Sequence, residues 1–227
     1  MTALLFSEKR IILFVGAYGS GKTEVAVNYA LQSRPTVENL AIVDLDIVNP
    51  YFRSRERQEL VTAAGIHVVA PEGALSTADL PALPPEIGGV LQDPSRYAVF
   101  DVGGDDVGAR VLGRYSKMFT PADYDMFFVV NASRPFTQAM KPAVAVMRAI
   151  EQTSRLKVTG LVNNTNLMQF TDVPLLQKGE ELALAIGEAT NLPLAFNAVA
   201  ENLVDAATAV MRAPVLPLQL YMKRPWE

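Results

Sequence analysis

The chain has 227 residues, 50% of them apolar or aromatic and 19% charged, with a net charge of −4 and a pI near 5.2. That length and composition predict one globular domain with a sizeable core. The acidic balance leaves no basic surplus for gripping nucleic-acid phosphates. With no cysteine and a single histidine, His67, the chain cannot supply a disulfide, a thiolate zinc site, an iron–sulfur ligand set or a multi-histidine centre. Residues 1–10 lack the apolar stretch of a leader, and no run of about 18 apolar residues occurs. The expectation is a cytoplasmic protein without a membrane span.

The elements follow one another in a regular alternation. Arg10–Val15 is an apolar run stopped by Gly16, the pattern of a buried strand. Thr23–Gln32 has helical character. Leu40–Val43 is a second strand ending in acidic residues; Arg55–Ala64 a helix stopped at Gly65; Ile66–Ala70 a third strand. Pro71 to Asp93 reads as a long Pro-rich irregular stretch. Tyr97–Phe100 is a fourth strand, Val107–Phe119 a helix, Tyr124–Val130 a fifth strand, and Phe136–Thr153 a long helix with Pro142 near its start. Lys157–Val162 is a sixth strand, Leu175–Thr190 a helix, Leu194–Phe196 a seventh strand and Glu201–Met211 a last helix. The tail from Pro214 to Glu227, apolar and interrupted by prolines, either covers a sheet edge or docks on a partner. Apolar strands alternating with helices predict a doubly wound, mostly parallel α/β sheet of about seven strands, with helices on both faces.

Gly16-Ala17-Tyr18-Gly19-Ser20-Gly21-Lys22-Thr23 matches G-x-x-x-x-G-K-[ST] without a mismatch, between a predicted strand and a predicted helix. Backbone N–H groups in such a turn point inward at a polyphosphate, and the helix adds its positive end. Gly16, Gly19, Ser20 and Gly21 therefore form a nucleoside triphosphate cradle. Lys22 reaches the β- and γ-phosphates, and the Thr23 hydroxyl is a magnesium ligand. Asp101, at the end of an apolar strand, is the second magnesium residue, and Gly104 completes D-x-x-G, a pattern whose glycine senses the γ-phosphate. Val102 follows Asp101 where many large ATPases carry a glutamate base. Asp44 and Asp46 end the second strand and share a face in extended chain, so either can orient the attacking water, and Asp46 is also a candidate for contact with the metal.

The phosphate loop, D-x-D after the second strand and D-x-G-G after a later one together resemble the MinD/ParA/CobQ-type, SIMIBI-class nucleotide-binding proteins. The resemblance spans Arg10 to about Asn197. It implies a single domain that often works as a nucleotide-dependent homodimer, with Asp44 and Asp46 serving water activation or magnesium contact. It also implies an asparagine after the sixth strand that reads adenine, here Asn163 or its neighbour Asn164. The run Asn163-Asn164-Thr165-Asn166 lacks the lysine and aspartate of the guanine-reading N-K-x-D, which favours ATP over GTP. The family's partition, division and nitrogenase branches carry a lysine early in the loop that reaches across a dimer; Ala17 stands there instead.

Further features carry weaker signals. Asn49 to Arg57 follows the D-x-D as a first switch segment, with Arg53 its preferred functional arginine beside Arg55 and Arg57; Arg110 and Arg114 follow D-x-G-G. His67 reads as a core or edge histidine, and Met118, Met126, Met140 and Met147 fall in core-like patterns. The leading reading is a magnesium-dependent ATPase whose slow hydrolysis drives a change that an unidentified protein partner reads. The rivals are a small-molecule kinase or ligase resembling dethiobiotin synthetase or cobyrinate enzymes, and a GTPase-like switch.

Overall fold

A computed structural model describes residues 5–46, 58–70, 85–104 and 106–221, with the backbone alone for 106 and 107. The chain order is β1 (Ile11–Val15), α1 (Lys22–Ser33), β2 (Leu40–Leu45), α2 (Gln58–Ala63), β3 (His67–Val69), α3 (Glu86–Gln92) and β4 (Tyr97–Val102). It continues with α4 (Asp106–Arg114), β5 (Tyr124–Val130), α5 (Met140–Ser154), β6 (Gly160–Asn163), α6 (Val173–Thr190), β7 (Leu194–Ala200), α7 (Val204–Thr208) and β8 (Val215–Leu218). The strands form one sheet in the order β3-β2-β4-β1-β5-β6-β7-β8. Every pairing in it is parallel.

Alternate strand residues face opposite sides, so an entirely apolar strand feeds two cores at once. Ile11, Leu13 and Val15 of β1 join Val90 of α3, Leu112 of α4, Met147 of α5 and Ile186 of α6 on one face. Ile12 and Phe14 join Val25, Tyr29 and Ala30 of α1 and Val61 of α2 on the other. Burying side chains of this size stabilises by about 1.5–3 kcal/mol each, which is the main force holding the helices to the sheet.

Among the described residues the sheet has eight strands, against the about seven that the sequence predicts. The extra strand lies in the tail, where Val215–Leu218 pairs with Asn197–Ala200 at the sheet's edge. Beyond it the chain is clasped to α1. Asn28 donates from Nδ2 to the Gln219 carbonyl (2.9 Å) and accepts from the Gln219 N–H (2.9 Å). Glu24 accepts from the Tyr221 N–H (2.8 Å), and Gln32 donates to the Pro217 carbonyl (2.7 Å).

Other boundaries move for local reasons. Part of the stretch expected to be irregular is α3, whose Ile87, Val90 and Leu91 are buried. The helix after β5 starts at Met140, later than expected, because 131–139 form a hydrogen-bonded loop. The helix expected over Glu201–Met211 is a short 3-10 turn at Glu201–Leu203 followed by α7. The expected first switch segment, with Arg53, Arg55 and Arg57, lies outside the described residues, as do 71–84 and the last six positions.

Candidate functional site

β1 is the strand from which the sheet runs both ways, pairing with β4 on one side and β5 on the other. In open parallel sheets ligands bind in the crevice at the carboxyl ends of the strands beside such a switch point. The Gly16–Thr23 loop leaves β1 there. Gly21 enters α1 with φ +84°, a conformation that favours glycine, and a Cβ on it would lie 2.3 Å from Nδ2 of Asn164. The Ser20 N–H donates to the Ala17 carbonyl (3.2 Å), tightening the turn. Lys22 is buried, and its Nζ donates to the Ala17 carbonyl at 3.2 Å, so its charge is folded back over the loop. Thr23, also buried, is the second residue of α1. Gly16, Gly19, Ser20, Gly21, Lys22 and Thr23 are thus brought together in one tight turn at the start of α1.

The carboxylates meet beside it. Asp101 pairs in register with Asp44 across β4 and β2, and with Phe14 across β4 and β1. Asp101 and Asp44 are buried, and Asp46 is nearly so, its N–H donating to Asp44 Oδ1 at 2.9 Å. Burial, and then the neighbouring Asp44, push the Asp101 carboxyl well above the usual carboxylate range; the Thr23 hydroxyl and Lys22 offset this only in part. Neither Asp101 oxygen has a donor at full hydrogen-bonding geometry among the described residues. A buried acidic pair, one of whose members has no such donor among the described residues, next to a threonine hydroxyl, suits a hard cation. Among the described residues no three acidic or histidine side chains make a metal cage of their own. Magnesium needs none, since it keeps waters and takes phosphate oxygens with one or two protein ligands.

Gly104 closes the site from the β4 side. A Cβ there would lie 2.8 Å from Lys22 Nζ and 2.8 Å from the Tyr18 backbone nitrogen. Only a hydrogen fits between the D-x-x-G segment and the phosphate loop.

The asparagines divide. Asn163, expected as a base reader, is spent inside the fold. Its Nδ2 donates to Asn197 Oδ1 (2.9 Å) and the Leu176 carbonyl (3.3 Å), and its Oδ1 accepts from the Thr165 N–H (3.1 Å). Asn197 belongs to the same buried network: its Nδ2 donates to Glu180 Oε1 (2.7 Å), and Glu180 also accepts from the N–H groups of Arg212 and Ala213. A buried amide with both ends committed cannot also present them to a nucleobase. Asn164 touches the site, donating from Nδ2 to the Ser20 carbonyl at 2.8 Å.

Arg110 and Arg114 are exposed on α4, and His67 is exposed on the edge strand β3. Met126 and Met147 are core residues and Met118 packs on the core, whereas Met140 is exposed. Sequence reasoning missed the β5–α5 loop. Ala132 N–H donates to Thr165 Oγ1 (2.9 Å), and the side chain of Arg134 lies against Gly19. The available signal was positional: a loop following a buried parallel strand opens on the ligand side.

No protein-family profile matches the chain, and no curated protein matches it in sequence. Solved structures do match. Cell division protein FtsY from Thermotoga maritima superposes with a TM-score of 0.59 at 18% identity, covering 85% of this chain and 63% of that one. The fold is that of the P-loop nucleoside triphosphatases. The signal recognition particle 54 kDa protein from Aeropyrum pernix, solved in complex with GDP, gives 0.56 at 18% identity over 84% of this chain and 41% of that one. FtsY from Mycoplasma mycoides gives 0.53 at 16% identity over 85% of this chain and 59% of that one. The chain spans about two fifths to just under two thirds of the length of these P-loop relatives in structure. At 16–18% identity this likeness shows the fold alone and does not single out the MinD/ParA branch. No described helix is long and apolar enough to cross a membrane.

Proposed function

We propose that this chain is a magnesium-dependent nucleoside triphosphatase of MinD/ParA-like type, coupling the state of its bound nucleotide to a protein partner. The observation that carries the reading is the contact of Gly104 with Lys22 and the Tyr18 backbone. A segment packed this tightly on the phosphate loop must respond when a γ-phosphate arrives or leaves.

The loop amides and Lys22 hold the β- and γ-phosphates. Bound magnesium supplies charge neutralisation across those phosphates. Thr23 and Asp101 are the residues that would hold it. Asp44 or Asp46 orients a water whose oxygen bonds to the γ-phosphorus. The bond from that phosphorus to the bridging oxygen breaks, and its electron pair stays on the β-phosphate. One water proton remains on the released phosphate and the other passes to solvent. Positioning and charge account for such catalysis without a covalent intermediate.

The adenine preference rests on the missing lysine and aspartate after β6, and Asn164 is the remaining one of the two amides expected to read the base. A guanine nucleotide is the second reading, favoured by the likeness to a GDP-bound structure. Kinase or ligase activity predicts tight binding without phosphate release unless an acceptor is added.

Phosphate release from ATP and from GTP, with magnesium and no acceptor, tests the proposal. Steady turnover that Lys22→Ala reduces at least about 100-fold, with the melting transition preserved, is the expected result. Unchanged binding and turnover in that variant would sink the reading.

A further inference from the structure

We infer that Arg134, from the β5–α5 loop, is a cis-acting catalytic arginine that contacts the phosphates held by its own chain's loop. The inference rests on the nucleoside triphosphatase reading above and adds the residue that replaces the missing loop lysine.

The observation is a cation that has no partner among the described residues. A Cβ built on Gly19 would lie 3.7 Å from Nε of Arg134 and 3.8 Å from its Cδ, so the arginine stem runs alongside the loop. Nε is buried without an acceptor. No carboxylate among the described residues pairs with this guanidinium. A guanidinium N–H withdrawn from water without an acceptor is costly, and a folded chain retains such a group where a ligand completes it. The ligand chemistry is set by the neighbour. Gly19 belongs to a loop built to hold polyphosphate, and a planar guanidinium suits phosphate oxygens.

The arginine is also held in place. Asn131 Oδ1 accepts from the Ser133 N–H (2.9 Å), and the Arg134 N–H donates to the Asn131 carbonyl (3.1 Å). Thr137 Oγ1 donates to the same carbonyl (2.7 Å), and the Thr137 N–H donates to the Arg134 carbonyl (3.0 Å). Ala132 ties the loop to Thr165, next to the Asn164 that holds Ser20. The loop is pre-organised before nucleotide binds, as stabilising charge in a transition state requires. Asn131 Nδ2 and Ser133 Oγ, in the same loop, are likewise buried without partners. Ala17, where the resemblance places a lysine acting across a dimer, is buried and carries no charge. Arg134 supplies the cation from within one chain. It neutralises the negative charge that grows on the bridging oxygen as the γ-phosphorus bond breaks.

The experiment compares wild type with Arg134→Ala and Arg134→Lys in three readouts. These are phosphate release, affinity for the nucleoside diphosphate with magnesium, and affinity for that diphosphate with aluminium fluoride as a transition-state mimic. Arg134→Ala is expected to lose on the order of 100- to 1,000-fold in kcat and a comparable factor in the fluoride complex, with diphosphate affinity within about threefold. Arg134→Lys, which keeps the charge but loses the planar fork, falls between. Because the side chain makes no hydrogen bond or ion pair among the described residues, the melting transition of each variant should match wild type. Mixing Arg134→Ala with Lys22→Ala distinguishes the source of the arginine. No recovery of turnover is expected, and recovery would overturn the cis assignment. Equal fluoride-complex affinity for wild type and Arg134→Ala would overturn the inference while leaving the nucleotide reading intact. Failure of wild type to bind any nucleotide would remove both.

Discussion

At the scale of single residues, the site gives up stability for chemistry at Asp101. Its carboxyl is buried beside Asp44, and its affinity for a proton is raised. The fold therefore binds that proton more tightly than the unfolded chain does. By linkage, stability is greatest where both states keep the proton, declines as pH rises above the ordinary value of 3.8, and levels off above the folded pKa. Asp101→Asn should remove that decline. Melting of the nucleotide-free chain at pH 5 and at pH 8 should show the variant gaining about 1–3 kcal/mol more, relative to wild type, at the higher pH. The same variant should lose the magnesium dependence of nucleotide binding, measured by titration calorimetry with and without the metal. An equal shift at both pH values would mean the carboxyl is ionised without strain. Gly104 makes the complementary case. A methyl at 2.8 Å from Lys22 Nζ must displace the lysine or the loop. Gly104→Ala should cost at least about tenfold in phosphate release, on the basis that small misplacements of catalytic groups are expensive. Full activity would show that the D-x-x-G segment can stand further off without consequence.

Elements are held by a few polar clasps as much as by the core. Glu180 is the clearest, a buried α6 carboxylate accepting from the Asn197 amide and from the N–H groups of Arg212 and Ala213. Glu180→Ala strands those donors inside the fold, and each stranded group costs about 1–3 kcal/mol. Urea unfolding should show a midpoint lowered accordingly, with an unchanged slope. The clasp also explains what the sequence could not reveal about Asn163. An asparagine at the end of a strand has the right chemistry and the right place for a base reader. That its amide is consumed by Asn197 depends on β7 lying next to β6, a tertiary fact. The strand alternation and the phosphate loop were legible because fully apolar runs and the G-x-x-x-x-G-K-T spacing carry their own physics. β8 was not, since Pro217 argues against a strand. An edge strand tolerates it because an N–H pointing away from the sheet is not needed for pairing. Asn28→Ala should loosen that edge by cutting both bonds to Gln219, seen as faster amide exchange at Gln219 and Tyr221 with α1 protection retained.

For the whole molecule, strand order decides where chemistry can happen. With β1 between β4 and β5, the phosphate loop, Asp101 and the Arg134 loop open side by side on one edge of the sheet. Local sequence signals carry the strands but not their order. Arg134 stayed hidden for that reason, since nothing in Asn131–Pro135 looks like a phosphate-binding motif until its strand is placed beside β1. The same order has a consequence for how the protein is made. β1 leaves the ribosome well before its partners, which end at Asp101 and Phe128. At about 5–20 residues per second, an entirely apolar strand waits on the order of ten seconds with both edges open. The α1 clasp, which needs Gln219 and Tyr221, closes later still. Nascent chains stalled before Tyr124 should therefore bind no nucleotide and be readily cleaved by protease, while full-length chains released from the ribosome become resistant. This protein cannot use its ligand as an early folding template: its phosphate loop leaves a strand whose two neighbours are made long after it.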